Sequence, residues 1–151
     1  MLHVALWEPE IPPNTGNVAR LCAATDTTLH LVGRLGFHLD DRSLRRAGLD
    51  YWPAVALRRH DTLEQFRAAL PDARWLCFSA HAARRYTEVR YQAGDVLLFG
   101  SESRGLPATL LEQNPAACFT IPMLTDHVRS LNLATAVGIV LYEALRQLHS
   151  W

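Results

Sequence analysis

Three stretches of this chain carry residue types that can do chemistry, each at a spacing that fits a loop between an apolar run and a helix. They are Pro12-Pro13-Asn14-Thr15-Gly16-Asn17-Val18-Ala19-Arg20, Leu97-Leu98-Phe99-Gly100-Ser101-Glu102-Ser103-Arg104-Gly105-Leu106-Pro107, and the run from Ile121-Pro122-Met123-Leu124 through Thr125-Asp126-His127-Val128 to Arg129-Ser130-Leu131-Asn132-Leu133. The last joins an apolar strand end, a proline-stiffened polar loop and a Ser/Asn-rich helix start, and so sets many backbone donors and acceptors around one small crevice. In open α/β sheets ligands bind beyond the carboxyl ends of the strands, so loops that all follow strands are expected to converge. Gly16, Gly100 and Gly105 do not form GxGxxG, and GxxxxGK[ST] is absent, which disfavours a nicotinamide cofactor or a P-loop nucleotide.

The cations narrow the chemistry further. Fifteen basic residues balance fifteen acidic ones, and every basic residue is arginine. Without lysine there is no Schiff base, lysine general base or P-loop lysine, and any grip on phosphate must use guanidinium forks or backbone amides. Arginines gather at Arg42, Arg45 and Arg46, at Arg58 and Arg59 beside His60, and at Arg84 and Arg85 near Arg90. Such local positive charge is what an RNA backbone contact requires, although paired arginines also make ordinary solvated faces. Cys22, Cys77 and Cys118 are far apart among apolar neighbours, as reduced core thiols would be, and no metal-ligand spacing occurs.

The elements that must position these loops follow from periodicity. At 151 residues and 49% hydrophobic, the chain fits one domain, 1–151, with a sizeable core. Leu2 to Trp7 reads as a strand rather than a signal peptide, and no apolar stretch approaches the roughly 20 residues that span a bilayer, so a soluble cytoplasmic protein is expected. Asn14 or Thr15 is expected to cap a first helix carrying Val18, Leu21, Cys22 and Ala24. Thr28 to Val32 is a second strand, and an Arg-rich helix runs from about Asp41 to Gly48. One short strand follows Pro53, and Asp61 or Thr62 caps a helix ended by Pro71. Trp75 to Phe78 and Val96 to Phe99 are buried strands, Pro107 to Gln113 a short helix, Cys118 to Ile121 the last strand, and a long helix runs to about Leu148. This alternation predicts an α/β fold with a mostly parallel sheet flanked by helices.

Four blocks in order resemble the motifs of the SPOUT superfamily of RNA methyltransferases. They are Glu8-Pro9-Glu10-Ile11-Pro12-Pro13-Asn14-Thr15-Gly16-Asn17, Arg45-Arg46-Ala47-Gly48-Leu49-Asp50-Tyr51, Gly100-Ser101-Glu102 and Arg129-Ser130-Leu131-Asn132-Leu133. The likeness covers essentially the whole chain and is greater still to the small tRNA wobble-ribose methyltransferases, which act on the 2'-O of cytidine or uridine 34. It implies S-adenosyl-L-methionine as methyl donor, the tRNA anticodon stem-loop as substrate, a homodimer, and a C-terminal deep trefoil knot. The knot is a feature that physical base rates alone would exclude. It also implies a donor site made from Phe78, Gly100, Ile121 and Ser130 with Met123 and Leu131 close by. Cys77-Phe78-Ser79-Ala80-His81 departs there from the family's threonine-rich version.

Methyl transfer from a sulfonium to a ribose hydroxyl is an in-line displacement, so the enzyme must align two centres and stabilise the attacking oxygen. In the family the arginine matching Arg20 is the favoured catalytic residue. A guanidinium stays charged in proteins and accepts protons poorly, so Arg20 is expected to orient the ribose-phosphate and stabilise the oxyanion, with Glu102, Tyr142 or His127 as candidates to relay the proton. Asn14 and Asn17 are candidates for substrate contact as well as for helix capping, and Arg129 and Asn132 complete the expected substrate-binding set. Glu102 is expected either to offset the sulfonium or to hold Arg104, and Ser130 or Asn132 to cap the last helix.

That helix shows a broad apolar face of Leu133, Val137, Val140, Leu141, Leu145 and Leu148, while Ala136 and Ile139 interrupt its polar side, which predicts a dimer contact shared with the first helix. A non-catalytic protein that only holds S-adenosyl-L-methionine or RNA is the rival class, and methylation of another RNA the rival reaction. At 151 residues the chain is expected to lack the added RNA-binding domain of larger relatives, which suits a compact anticodon loop with splayed bases.

Overall fold

Successive strand residues point to opposite faces of one sheet, and this period of two divides the buried core into halves on either side of it. The computed structural model describes residues 1–40, 42, 46 and 52–151. Val4, Leu6, Leu29, Leu31, Leu76, Phe78, Leu97 and Phe99 face one side, and Ala5, Val32, Cys77, Val96 and Leu98 the other. Because both faces are covered, the strands read as near-continuous apolar runs, as parallel strands do.

The strands are β1 (His3–Trp7), β2 (Thr28–Val32), β3 (Leu57–His60), β4 (Trp75–Phe78), β5 (Arg84–Arg85), β6 (Val96–Phe99) and β7 (Cys118–Thr120). They form one sheet in the order β3-β2-β1-β6-β4-β7-β5, with every pairing parallel. The helices are α1 (Pro12–Ala24), α2 (Leu63–Ala69), α3 (Ala108–Gln113) and α4 (Leu133–His149), numbered among the described residues. Val18, Ala19 and Cys22 of α1 and Val137, Val140, Leu141, Ala144 and Leu145 of α4 cover the first face. Phe66 of α2 and Leu110 of α3 cover the second.

The α/β expectation and five strand positions agree with the sequence reading, three of them residue for residue, and the differences have local causes. The strand expected after Pro53 begins later: Trp52–Ala54 is a 3-10 turn and β3 runs on through Arg58, Arg59 and His60. Exposed arginines are compatible with β3 because it is an edge strand, where charged side chains guard the unpaired edge. Arg84 and Arg85 form the other edge, β5, paired to Phe119 and Thr120. Leu148, expected on the apolar face of α4, is exposed, and Ala144 is buried in its stead. The expected helix from Asp41 to Gly48 and the block Arg45 to Tyr51 lie outside the described residues except for Arg42 and Arg46, both exposed. Cys22, Cys77 and Cys118 are buried free thiols, and burial pushes Cys22 and Cys77 up to about 12.

Candidate active site

Parallel pairing brings the carboxyl ends of β6, β4 and β7 side by side, so Gly100, Ser79 and Ile121 leave the sheet as neighbours. Beyond β6 the chain doubles back at once: Ser101 and Gly105 exchange backbone hydrogen bonds of 3.3 and 2.9 Å. Gly100 is obligatory for this turn, because a Cβ there would lie 2.0 Å from the carbonyl carbon of Gly105. Gly105 itself sits at φ +65, where a side chain would be strained.

Glu102, on the tip of that turn, performs a structural task. One of its carboxylate oxygens accepts from the backbone N–H of Glu10 at 2.8 Å, and the other from the N–H of Ile11 at 2.8 Å and Asn14 Nδ2 at 3.1 Å. Helix α1 starts at Pro12 with Ile11 as its N-cap and no capping side chain of its own. Neither Asn14 nor Thr15 caps it, because two prolines suited to the first turn move the start forward. A carboxylate from another loop supplies the acceptor and complements the positive end of the helix dipole.

Asn14 carries the linkage onward. It is buried, and its Oδ1 accepts from Asn132 Nδ2 at 2.9 Å while its Nδ2 donates to Glu102. Asn132 in turn caps α4 by accepting from the N–H of Thr135 at 3.1 Å. Three blocks remote in sequence thus meet in one chain of hydrogen bonds, Glu102 to Asn14 to Asn132. Asn14, expected to touch substrate, has both side-chain polar atoms engaged within the protein. Glu102, expected to relay a proton or hold Arg104, is occupied by three donors, and Arg104 pairs with Glu8 at 3.1 Å instead. Of the two capping candidates for α4, Asn132 takes the role and Ser130 is left exposed.

Sequence reasoning missed a second seam between the same loops. Glu10 Oε1 accepts from the N–H of Ser103 at 2.8 Å and its hydroxyl at 2.6 Å, and these bonds hold the Glu10 carboxyl below its ordinary range. Glu8 accepts from the N–H of Arg34 at 3.0 Å, and Arg104 lies over the Trp7 ring. The available signal was the pairing of two acidic residues after β1 with a Ser/Arg turn after β6.

The remaining candidates fall into groups. Phe78 is buried at the end of β4, stacked on Phe99 with ring centroids 5.1 Å apart. Ile121 is half-buried and packs against the same core cluster, Met123 and Leu131 are half-buried, and Arg129 and Ser130 are exposed. Asn17 and Arg20, three residues apart, share an exposed face of α1. Arg20 lies about 9 Å along the axis from Asn14 by helical rise. Tyr142 is not brought to this group. It stands ten residues into α4 from Asn132, about 15 Å along the axis, exposed and against Trp151.

The SpoU rRNA Methylase family model matches residues 1–142, and the chain belongs to that family. It is 48% identical over 149 residues to the tRNA (cytidine(34)-2'-O)-methyltransferase of Escherichia coli (strain K12), covering 98% of this chain and 94% of that protein. It is 45% identical over 148 residues to the enzyme of the same name from Methylovorus glucosotrophus (strain SIP3-4), covering 97% and 96%. A solved structure bearing on "the 2-OH methylation of C/U34 on tRNA" superposes with a TM-score of 0.95 at 53% identity, covering 100% of this chain and 98% of that one. An AdoMet-bound rRNA methyltransferase from Sinorhizobium meliloti superposes at 0.86 with 29% identity, covering 97% and 56%.

Proposed function

We propose that this chain methylates the ribose 2'-OH of the wobble nucleotide of tRNA, cytidine or 5-carboxymethylaminomethyluridine at position 34. The observation that carries this reading is the Glu102–Asn14–Asn132 chain, which gathers the loops after β1, β6 and β7 into one crevice. The relatives of that name, alike over nearly the full length, support it. Residues 1–151 act as one methyltransferase domain, in the cytoplasm, with the C-terminal segment tucked as a trefoil knot. Among the described residues no helix is long and apolar enough to cross a membrane, and no group of three or more potential ligands forms a metal site.

S-adenosyl-L-methionine, when bound, supplies an electrophilic methyl group on a sulfonium. The residues present suit it: half-buried Ile121 and Met123 offer apolar cover to a flat purine, while the backbone at Gly100 and Leu131 and the Ser130 hydroxyl offer polar contacts. Phe78 supports this wall from below. Arg20, with Asn17 and Arg129, orients the ribose-phosphate, and the Arg20 guanidinium stabilises negative charge on the attacking oxygen without taking its proton. Glu102, Asn14 and Asn132 hold these groups in place.

The functional unit is a homodimer through α1 and α4. Tyr142 and Leu148 are exposed apolar groups in the C-terminal half of α4, Trp151 lies just past its end, and Leu124 and Val128 lie on the loop before it. The reading is tested by incubating the protein with labelled donor and tRNA lacking wobble ribose methylation, then mapping the modified nucleotide. Label on the ribose at position 34 is expected; label in a base, or none, would overturn it.

A further inference from the structure

At the other end of the sheet, where β4, β5 and β7 begin, lies a cleft of about 600 Å³ lined by Arg67, Arg74, Arg84 and Arg90 and by one carboxylate, Glu88. Arg74 is neutralised: its guanidinium grips buried Asp95 at 2.9 and 2.6 Å and also donates to the Arg90 carbonyl. The other three have no carboxylate within ion-pair distance among the described residues. Glu88 is turned to Arg85, accepting from its backbone N–H at 2.6 Å.

Two of these guanidinium groups sit over aromatic rings. Arg67 lies 4.7 Å from the centre of the Trp75 ring, and Arg84 lies 5.1 Å from that of Phe119 while donating to the Ala116 carbonyl at 3.0 Å. A guanidinium resting over a ring still has N–H donors to offer an oxyanion, and the ring contact restrains the side chain and so reduces the ordering cost of binding. Three cations without carboxylate partners around one cleft, two of them restrained by aromatic rings, make a site for successive phosphates.

We propose that this cleft binds the phosphodiester backbone of the RNA substrate away from the nucleotide being methylated; the inference rests on the RNA-methylating reading above. Trp75 and Phe78 are the first and last residues of β4, so about 10 Å of strand separates the cleft from the donor wall. A single nucleotide does not reach both ends, whereas a folded RNA does. The pair expected to contact RNA from sequence, Arg84 and Arg85, is thereby divided. Arg84 joins Arg67 and Arg90 in the cleft, and Arg85 is spent on Glu88.

The test is filter binding of tRNA between about 50 and 200 mM salt, where each phosphate contact contributes about 0.9 to the slope of log affinity on log salt. Arg67→Ala, Arg84→Ala and Arg90→Ala combined should flatten that slope by about 2 to 3 and weaken binding at least about tenfold near 100 mM salt. Glu88→Gln should tighten binding about twofold, a gain that general loss of structure does not mimic. If the triple variant fails to fold, Arg90→Ala alone carries the test, because its side chain makes no hydrogen bond, ion pair or ring contact among the described residues, and the slope should fall by about 1. A folded variant with unchanged slope and affinity, or a Glu88→Gln protein that binds more weakly, overturns the proposal. So does a variant that loses inorganic pyrophosphate binding and keeps tRNA binding, which would mark a small-anion site. Wild type that binds tRNA with the expected variant effects and transfers no methyl group refutes the reaction and leaves the cleft standing. Wild type that methylates tRNA beside an unaffected variant does the reverse.

Discussion

Removing the Glu102 carboxylate separates a structural role from a chemical one. Three donors converge on it, from the N–H groups of Glu10 and Ile11 and from Asn14 Nδ2. In Glu102→Ala the two backbone groups lie near solvent and rehydrate, so their loss resembles that of a helix cap, about 1 kcal/mol. Asn14 is 7% exposed, and its amide is left buried without an acceptor, at about 1–3 kcal/mol. The sum is about 2–4 kcal/mol, and for a chain of this size about 3 kcal/mol lowers Tm by roughly 6–12 °C. Glu102→Gln keeps the shape but turns an NH2 toward one of the donors, so its cost should be about half. Thermal unfolding of both variants, beside donor affinity and turnover, reads the outcome. Activity should decline with the ordering of the loop, and the Gln variant should stand between wild type and Ala. An Ala variant that melts within about 1 °C of wild type yet transfers no methyl group would refute this account and return Glu102 to the chemistry.

Other perturbations address separate parts of the site. Arg20→Ala should abolish turnover while donor binding, measured by calorimetry, stays nearly intact; full activity would remove Arg20 from the mechanism. Gly100→Ala must open the Ser101–Gly105 turn, since its Cβ would fall 2.0 Å from backbone, and should lose donor binding more than stability; normal donor affinity would show that the turn does not form the wall. Stability should also fall in mild acid. His30 is held between His3 and His60 by two 2.9 Å ring contacts, and desolvation by burial, with neighbouring positive charge next, lowers its pKa to about 3. The folded state keeps His30 neutral while the unfolded chain takes up a proton below pH about 6.5, so stability is full above that value and declines as pH falls toward the folded pKa. The limiting slope is about 1.4 kcal/mol per pH unit for this one group, and urea midpoints at pH 7.5 and 5.5 measure it. Equal midpoints would contradict the buried histidine ladder.

Strands buried on both faces were the most legible elements. Thr28–Val32, Trp75–Phe78 and Val96–Phe99 fall where their apolar runs predict, because a sheet covered on both sides demands continuous hydrophobicity. The edges were not legible in the same way. Leu57–His60 and Arg84–Arg85 are strands by virtue of a neighbour's hydrogen bonds, and their exposed arginines carry no apolar period to reveal it. Leu148 shows the converse: it continues the apolar stripe of α4 beyond Leu145, the last residue of that stripe to be buried, so the period persists where burial has ended.

The site divides along the same line, between what a residue type permits and what a distant neighbour makes of it. The converging loops were predictable because each followed a strand in a parallel sheet. The roles of Asn14, Glu102 and Asn132 were not, because an acidic residue on a Gly-flanked loop can serve as acid, counter-ion or cap. The choice depends on which donors lie within 3 Å, and Glu102 finds them 91 and 92 positions back in the chain. Ile11 explains why the cap must come from so far away. Pro12 and Pro13 begin the helix without N–H groups of their own, yet the N–H groups just ahead of them, on Glu10 and Ile11, still need acceptors, and no Ser, Thr, Asp or Asn precedes them to supply one. A helix start that lacks its own acceptor, facing a loop whose carboxylate lacks its own cation, defines the pairing that closes the crevice. The same pairing makes the geometry of the loop after β6 depend on the position of α1, and through Asn132 on α4 as well, so displacing either helix displaces the turn at Gly100.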